Sequence, residues 1–60
     1  MDLTINGERQ NFDAPITAEQ FLGKIGLDPR KVAVERNLEI VPKSEYSDLA
    51  LHNGDTLEIV

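Results

Sequence analysis

Gly54-Asp55-Thr56-Leu57-Glu58-Ile59-Val60 joins a turn-forming glycine and aspartate to a run in which Leu57 and Ile59 alternate with Thr56, Glu58 and Val60. That period of two is a β-strand with one face in a core. In a small domain such a strand is tied into a sheet between others rather than left hanging. The rest of the chain must therefore supply its neighbours and a layer to cover Leu57 and Ile59.

The first neighbour is legible at the other end. Met1, Leu3 and Ile5 alternate with Asp2 and Thr4, and Asn6-Gly7 follows. That dipeptide tolerates the two positive φ values of a type I′ hairpin turn. Glu8 to Phe12 then returns antiparallel with Phe12 on the core side, and Asp13-Ala14-Pro15 ends the pairing, since proline has no N–H for a ladder.

The covering layer comes next. Thr17 and Gln20 have the spacing of a capping box, and Ile16 ahead of the cap can staple onto Phe21. Ala18, Phe21, Leu22 and Ile25 fall on one helical face. Gly23 inside so short a helix carries a penalty of about 1 kcal/mol relative to alanine, which a close backbone approach would explain. Gly26 suits the left-handed position after the helix, Leu27 can fold back on Leu22, and Asp28-Pro29 blocks continuation.

Val32 to Glu35 gives a third strand with Val32 and Val34 inward, Arg36-Asn37 a turn, and Leu38 to Val41 a fourth strand closed by Pro42. Lys43 to Leu51 lacks a strand period. Ser44 can cap a short helical turn holding Tyr46, while Leu49 and Leu51 pin the loop to the core. The order ββ, α, ββ, turn, β predicts an α+β domain over residues 1–60. It is a β-grasp mixed sheet of four to five strands, with one helix across one face and the last strand beside the first, joined by a right-handed crossover.

Sixty residues without cysteine lie near the lower limit for an unstapled fold and have no thiol nucleophile or Cys-based zinc site. An enzyme pocket of roughly 300 Å³ or more is hard to spare at this size. A formal charge of -5, from 11 acidic and 6 basic residues, opposes nucleic acid and anionic membrane as partners. All the basic residues precede Ser44, whereas Glu45, Asp48, Asp55 and Glu58 follow it, which suits steering toward a basic partner surface. Neither a signal peptide nor a membrane-length apolar run is visible, so a cytoplasmic location is expected.

The pattern Val32-Ala33-Val34-Glu35-Arg36-Asn37-Leu38-Glu39-Ile40-Val41-Pro42, followed by the Gly54-Asp55 turn and closing strand, resembles the sulfur carrier protein ThiS family of thiamine biosynthesis. The resemblance runs over essentially the whole chain. It implies a ubiquitin-like β-grasp carrier with no cofactor of its own, acting as a protein co-substrate and not as an enzyme. By resemblance, an E1-like adenylyltransferase (ThiF-like) activates a C-terminal glycine carboxylate, sulfur converts it to a thiocarboxylate, and a thiazole synthase (ThiG-like) receives the sulfur. Glycine suits such an end because it lacks a Cβ and can thread a narrow channel. The family pattern continues past the last strand to Gly-Gly, whereas this sequence reads to Val60; truncation is the expected explanation, and a tail-less β-grasp interaction module is the alternative. A carrier like the molybdopterin-synthase small subunit is a further alternative, although such chains are usually longer. Leu38 also stands where many relatives have glycine.

Alternation places Ala33, Glu35, Glu58 and Val60 on the face away from the helix, which by the resemblance is the docking surface for partner enzymes. Scattered strand residues would read the same way without any partner. No residue has catalytic, cofactor-binding or metal-binding spacing: His52 reads as a polar loop residue, Asp48, Asp55 and Glu45 as solvated, and Tyr46 as a core plug with its hydroxyl at the surface.

Overall fold

A computed structural model describes all residues, Met1 to Val60. Strands β1 (Asp2–Ile5) and β2 (Glu8–Asn11) precede helix α1 (Ala18–Lys24), and β3 (Val34–Arg36), β4 (Glu39–Val41) and β5 (Thr56–Ile59) follow it. A 3-10 turn spans Lys43–Glu45. The sheet order is β2-β1-β5-β3-β4, so the last strand is central, parallel to β1 and antiparallel to β3.

The first hairpin forms as its turn chemistry requires, with Asn6 at φ 48° and Gly7 at φ 84°. Phe12 continues the pairing by donating its N–H to the Met1 carbonyl. Its ring meets that of Phe21 edge to face at a centroid distance of 5.3 Å. The helix starts where the capping box puts it. Gln20 N–H donates to Thr17 Oγ1, and Thr17 N–H donates to Gln20 Oε1. It ends in a full Schellman motif: Leu27 N–H donates to the Leu22 carbonyl and Gly26 N–H to that of Gly23, with Gly26 at φ 81°.

Leu3, Ile5, Val34, Val41 and Leu57 point from the sheet toward Ile16, Ala18, Phe21 and Leu22, and Tyr46 and Leu51 close the cluster from the long loop. Phe21, Leu22 and Leu57 have no exposed surface. The loop is sewn to the start of α1 by backbone bonds, Ala18 N–H to the Leu49 carbonyl and Leu51 N–H to that of Ile16.

Five details differ from the sequence reading. The third strand lies at Val34–Arg36 rather than Val32 to Glu35, and Val32 is only half-buried. Its turn is Asn37-Leu38, at φ 50° and 71°, because Arg36 remains in register with Glu39 and the fourth strand starts one residue later. Gly23 has no close neighbour, since a Cβ built there would meet nothing within 4 Å. Ser44 lies inside the 3-10 turn, whose cap position is Pro42, with no side-chain cap bond. The Tyr46 hydroxyl is not left at the surface but donates to the Val32 carbonyl at 3.1 Å.

Candidate functional site

One face of the sheet carries the helix and the other carries nothing. Strand alternation gives the bare face its composition. Glu35 lies directly opposite Glu58 on one side and Ile40 on the other. Ala33 and Val60 exchange both backbone bonds at 2.8 and 3.0 Å. The structure therefore brings Ala33, Glu35, Glu58 and Val60 together on one exposed surface. It adds Ile40, 79% exposed, which lies on a strand too short for its period to be read from the sequence. Toward the first hairpin the face becomes polar, with Thr56 beside Thr4 and Thr4 beside Arg9.

Two features of this surface stand out. Val60 and Ile40 are apolar side chains left in water on this face, at 91% and 79% exposure. Glu35 and Glu58 are like charges directly opposite across an antiparallel pair, an arrangement that weakens the sheet. A partner bringing cations and apolar contact would relieve both.

The carboxylate of Asp55 behaves differently from its sequence reading as a solvated acid. It is 6% exposed and accepts from Arg36 Nε at 2.9 Å, Asn37 Nδ2 at 3.1 Å and the His52 N–H at 2.8 Å. Burial acts to raise its pKa. The His52 N–H, the Asn37 carboxamide and the Arg36 guanidinium outweigh that and hold it below the usual carboxylate value. Arg36 Nη2 lies 2.9 Å from His52 Nδ1, a bond that requires the neutral ring to accept there. The group ties the end of β3 to the turn ahead of β5, and the Asn37 Oδ1 completes it by accepting from Thr56 N–H. The signal for it in the sequence is the His52–Asp55 spacing, which allows Asp55 to cap its own turn.

A surface depression of about 420 Å³ lies between Glu19, Asp28, Pro29, Arg30, Lys43 and Tyr46. Two of its charged groups pair with each other, Arg30 clasping Asp28 at 2.9 Å, and Lys43 Nζ donates to the Arg30 carbonyl. No three His, Asp or Glu side chains converge as a metal site, and no helix is long and apolar enough to cross a membrane.

A helix laid across one face of a five-stranded mixed sheet, with the C-terminal strand at its centre, defines a β-grasp protein. The chain matches a thiamine biosynthesis protein (ThiS) of known crystal structure from Geobacter metallireducens with a TM-score of 0.88. That match covers 100% of this chain and 91% of that one at 24% identity, which establishes the fold. The ThiS family model matches residues 3–60, and the chain belongs to the ThiS family. It is also 63% identical over its 60 residues to a thiazole synthase of Paramagnetospirillum magneticum and 40% identical to a thiazole synthase of Magnetococcus marinus. In both cases the chain spans only 18% of the relative's length.

Proposed function

We propose that residues 1–60 form the body of a sulfur carrier for thiazole formation, docking its partner enzymes through the bare sheet face. The observation that carries this reading is the ThiS family match over residues 3–60. The two thiazole synthases that contain a matching segment support thiazole synthase as one partner. An E1-like adenylyltransferase is the other. The chemistry requires a glycine carboxylate, which the family pattern places after the last strand. Its oxygen attacks the α-phosphate of ATP and releases pyrophosphate. Hydrosulfide, or a donor that delivers sulfur at that oxidation level, then attacks the acyl carbon, displaces AMP and, on loss of a proton, leaves a thiocarboxylate. The carrier supplies the carboxylate and the docking surface, while the partners supply nucleotide binding and catalysis, so no residue of 1–60 is given a catalytic role.

Ala33, Ile40 and Val60 supply apolar contact, and Glu35 and Glu58 steer the face toward a basic partner patch. ATP–pyrophosphate exchange by the E1-like enzyme tests this with the full native polypeptide as co-substrate. Glu35→Lys with Glu58→Lys is expected to raise KM for the carrier roughly tenfold at low salt and to flatten its salt dependence, since rim charges act mainly on association. An unchanged KM in a folded double variant would remove the sheet face from the proposal. A β-grasp interaction module that carries no sulfur is the second reading, and it predicts binding through the same face with no pyrophosphate exchange.

A further inference from the structure

Strands β1 and β5 pair over only two positions, Thr4 with Thr56 and Ile5 with Leu57. The last main-chain bond of this seam runs from Asn6 N–H to the Leu57 carbonyl at 2.9 Å. Beyond it the strands part, because Asn6 turns away at φ 48° to enter the hairpin. The next rung is made by a side chain. Ile59 N–H donates to Asn6 Oδ1 at 2.7 Å, and Asn6 Nδ2 donates to the Ile59 carbonyl at 3.2 Å. A carboxamide offers one acceptor and two donors in a plane, so it can stand in for a peptide group on both counts. One residue further, Val60 exchanges its two bonds with Ala33 on the opposite side. Ile59 is thus held from β1 and Val60 from β3.

We infer that Asn6 is a positioning residue that, with Ala33 holding Val60 from the other side, fixes where and in which direction the chain leaves the sheet. The functional half of this inference rests on the carrier reading above. A carrier's reactive end must be loose, yet its root must be fixed relative to the docking face if the end is to reach a distant active site. Val60 lies on that face, opposite Ala33 and two residues beyond Glu58. Releasing Ile59 and Val60 would free roughly 6–7 Å of strand, and misplacement by even about 1 Å can lower a rate on the order of a hundredfold. The amide clip at Ile59 and the two Ala33 bonds at Val60 together remove that freedom, and the clip does so with a residue whose turn conformation was needed in any case.

Two substitutions separate the clip from the turn. Asn6→Gly keeps the positive φ and deletes the amide, and Asn6→Asp keeps the acceptor for Ile59 N–H but not the donor. In the full native polypeptide, Asn6→Gly is expected to speed amide exchange at Ile59 at least about tenfold while Leu57 stays protected, with Asn6→Asp in between. For adenylation by the E1-like enzyme, kcat is expected to fall roughly tenfold in Asn6→Gly with KM unchanged, because the docking residues are untouched. Unaltered Ile59 exchange in Asn6→Gly overturns the clip. Faster exchange with an unaltered kcat overturns the positioning role. A wild-type polypeptide that is never adenylated sinks the carrier reading and the positioning role together, and exchange at Ile59 then still decides whether Asn6 holds the strand.

Discussion

Leu38 occupies the second turn position of the β3–β4 hairpin at φ 71° and is 88% exposed. A leucine in the left-handed region carries a penalty of about 1–2 kcal/mol, and the site has no buried contact to offset it. Leu38→Gly is therefore expected to stabilise the protein by about 0.5–1 kcal/mol after the entropy of the added glycine is subtracted, read as a higher urea midpoint. Gly23 presents the opposite case. It is exposed, within a helix, and open to a Cβ, so Gly23→Ala is expected to gain about 1 kcal/mol. Asp55 has a pH signature. Its folded pKa lies below the ordinary value, so its contribution is complete above about pH 4 and is lost as pH falls through the folded value. Asp55→Asn is expected to lose about 1–3 kcal/mol at neutral pH and to show a shallower fall in stability on acidification, measured by urea unfolding across pH. What the sequence could not reveal about Asp55 was its partners. Arg36 and Asn37 lie far away in the chain, and only the β3–β5 register brings them onto the carboxylate.

The helix is the element whose signals were most complete. Thr17, Gln20, Gly26 and Leu27 act locally, within one turn of either end, so their bonds follow from spacing alone. Thr17→Ala is expected to destabilise the protein by about 1 kcal/mol by orphaning the Gln20 N–H, seen as a lower melting temperature. The same locality made the Asn6-Gly7 hairpin readable. The β3–β4 hairpin is legible only with shifted bounds: its first strand starts two residues later, and its turn one residue later, than the alternation indicates. Its three-residue strands are too short for an alternation to be counted, and its turn carries a leucine where glycine would have marked it. The side-chain rung of Asn6 was hidden for a different reason: it links residues 53 apart in sequence.

For the molecule as a whole, topology followed from the need to bury Leu57 and Ile59, which left the last strand only the centre of the sheet. A chain of this length has a stability of roughly 3–9 kcal/mol, and truncating Phe21 to alanine would cost about 3–5 of it. The core is thus fully committed to holding the fold, and the surface free for other work is the bare sheet face. That face was legible as a set of alternating positions, Ala33, Glu35, Glu58 and Val60, but Ile40 joins it only through the β3–β4 register. Its like-charged pair and its exposed Ile40 and Val60 fit a protein completed by contact with others.

The proposed sulfur carriage has a direct chemical signature, replacement of one carboxylate oxygen by sulfur. The most direct test is the intact mass of the full native polypeptide after incubation with the E1-like adenylyltransferase, ATP and a sulfur donor. Sulfur carriage predicts an ATP-dependent mass change equal to exchange of one oxygen for sulfur, localised by fragmentation to a glycine carboxylate beyond the last strand. A polypeptide whose mass does not change, under conditions where the same enzyme charges another carrier, would contradict it.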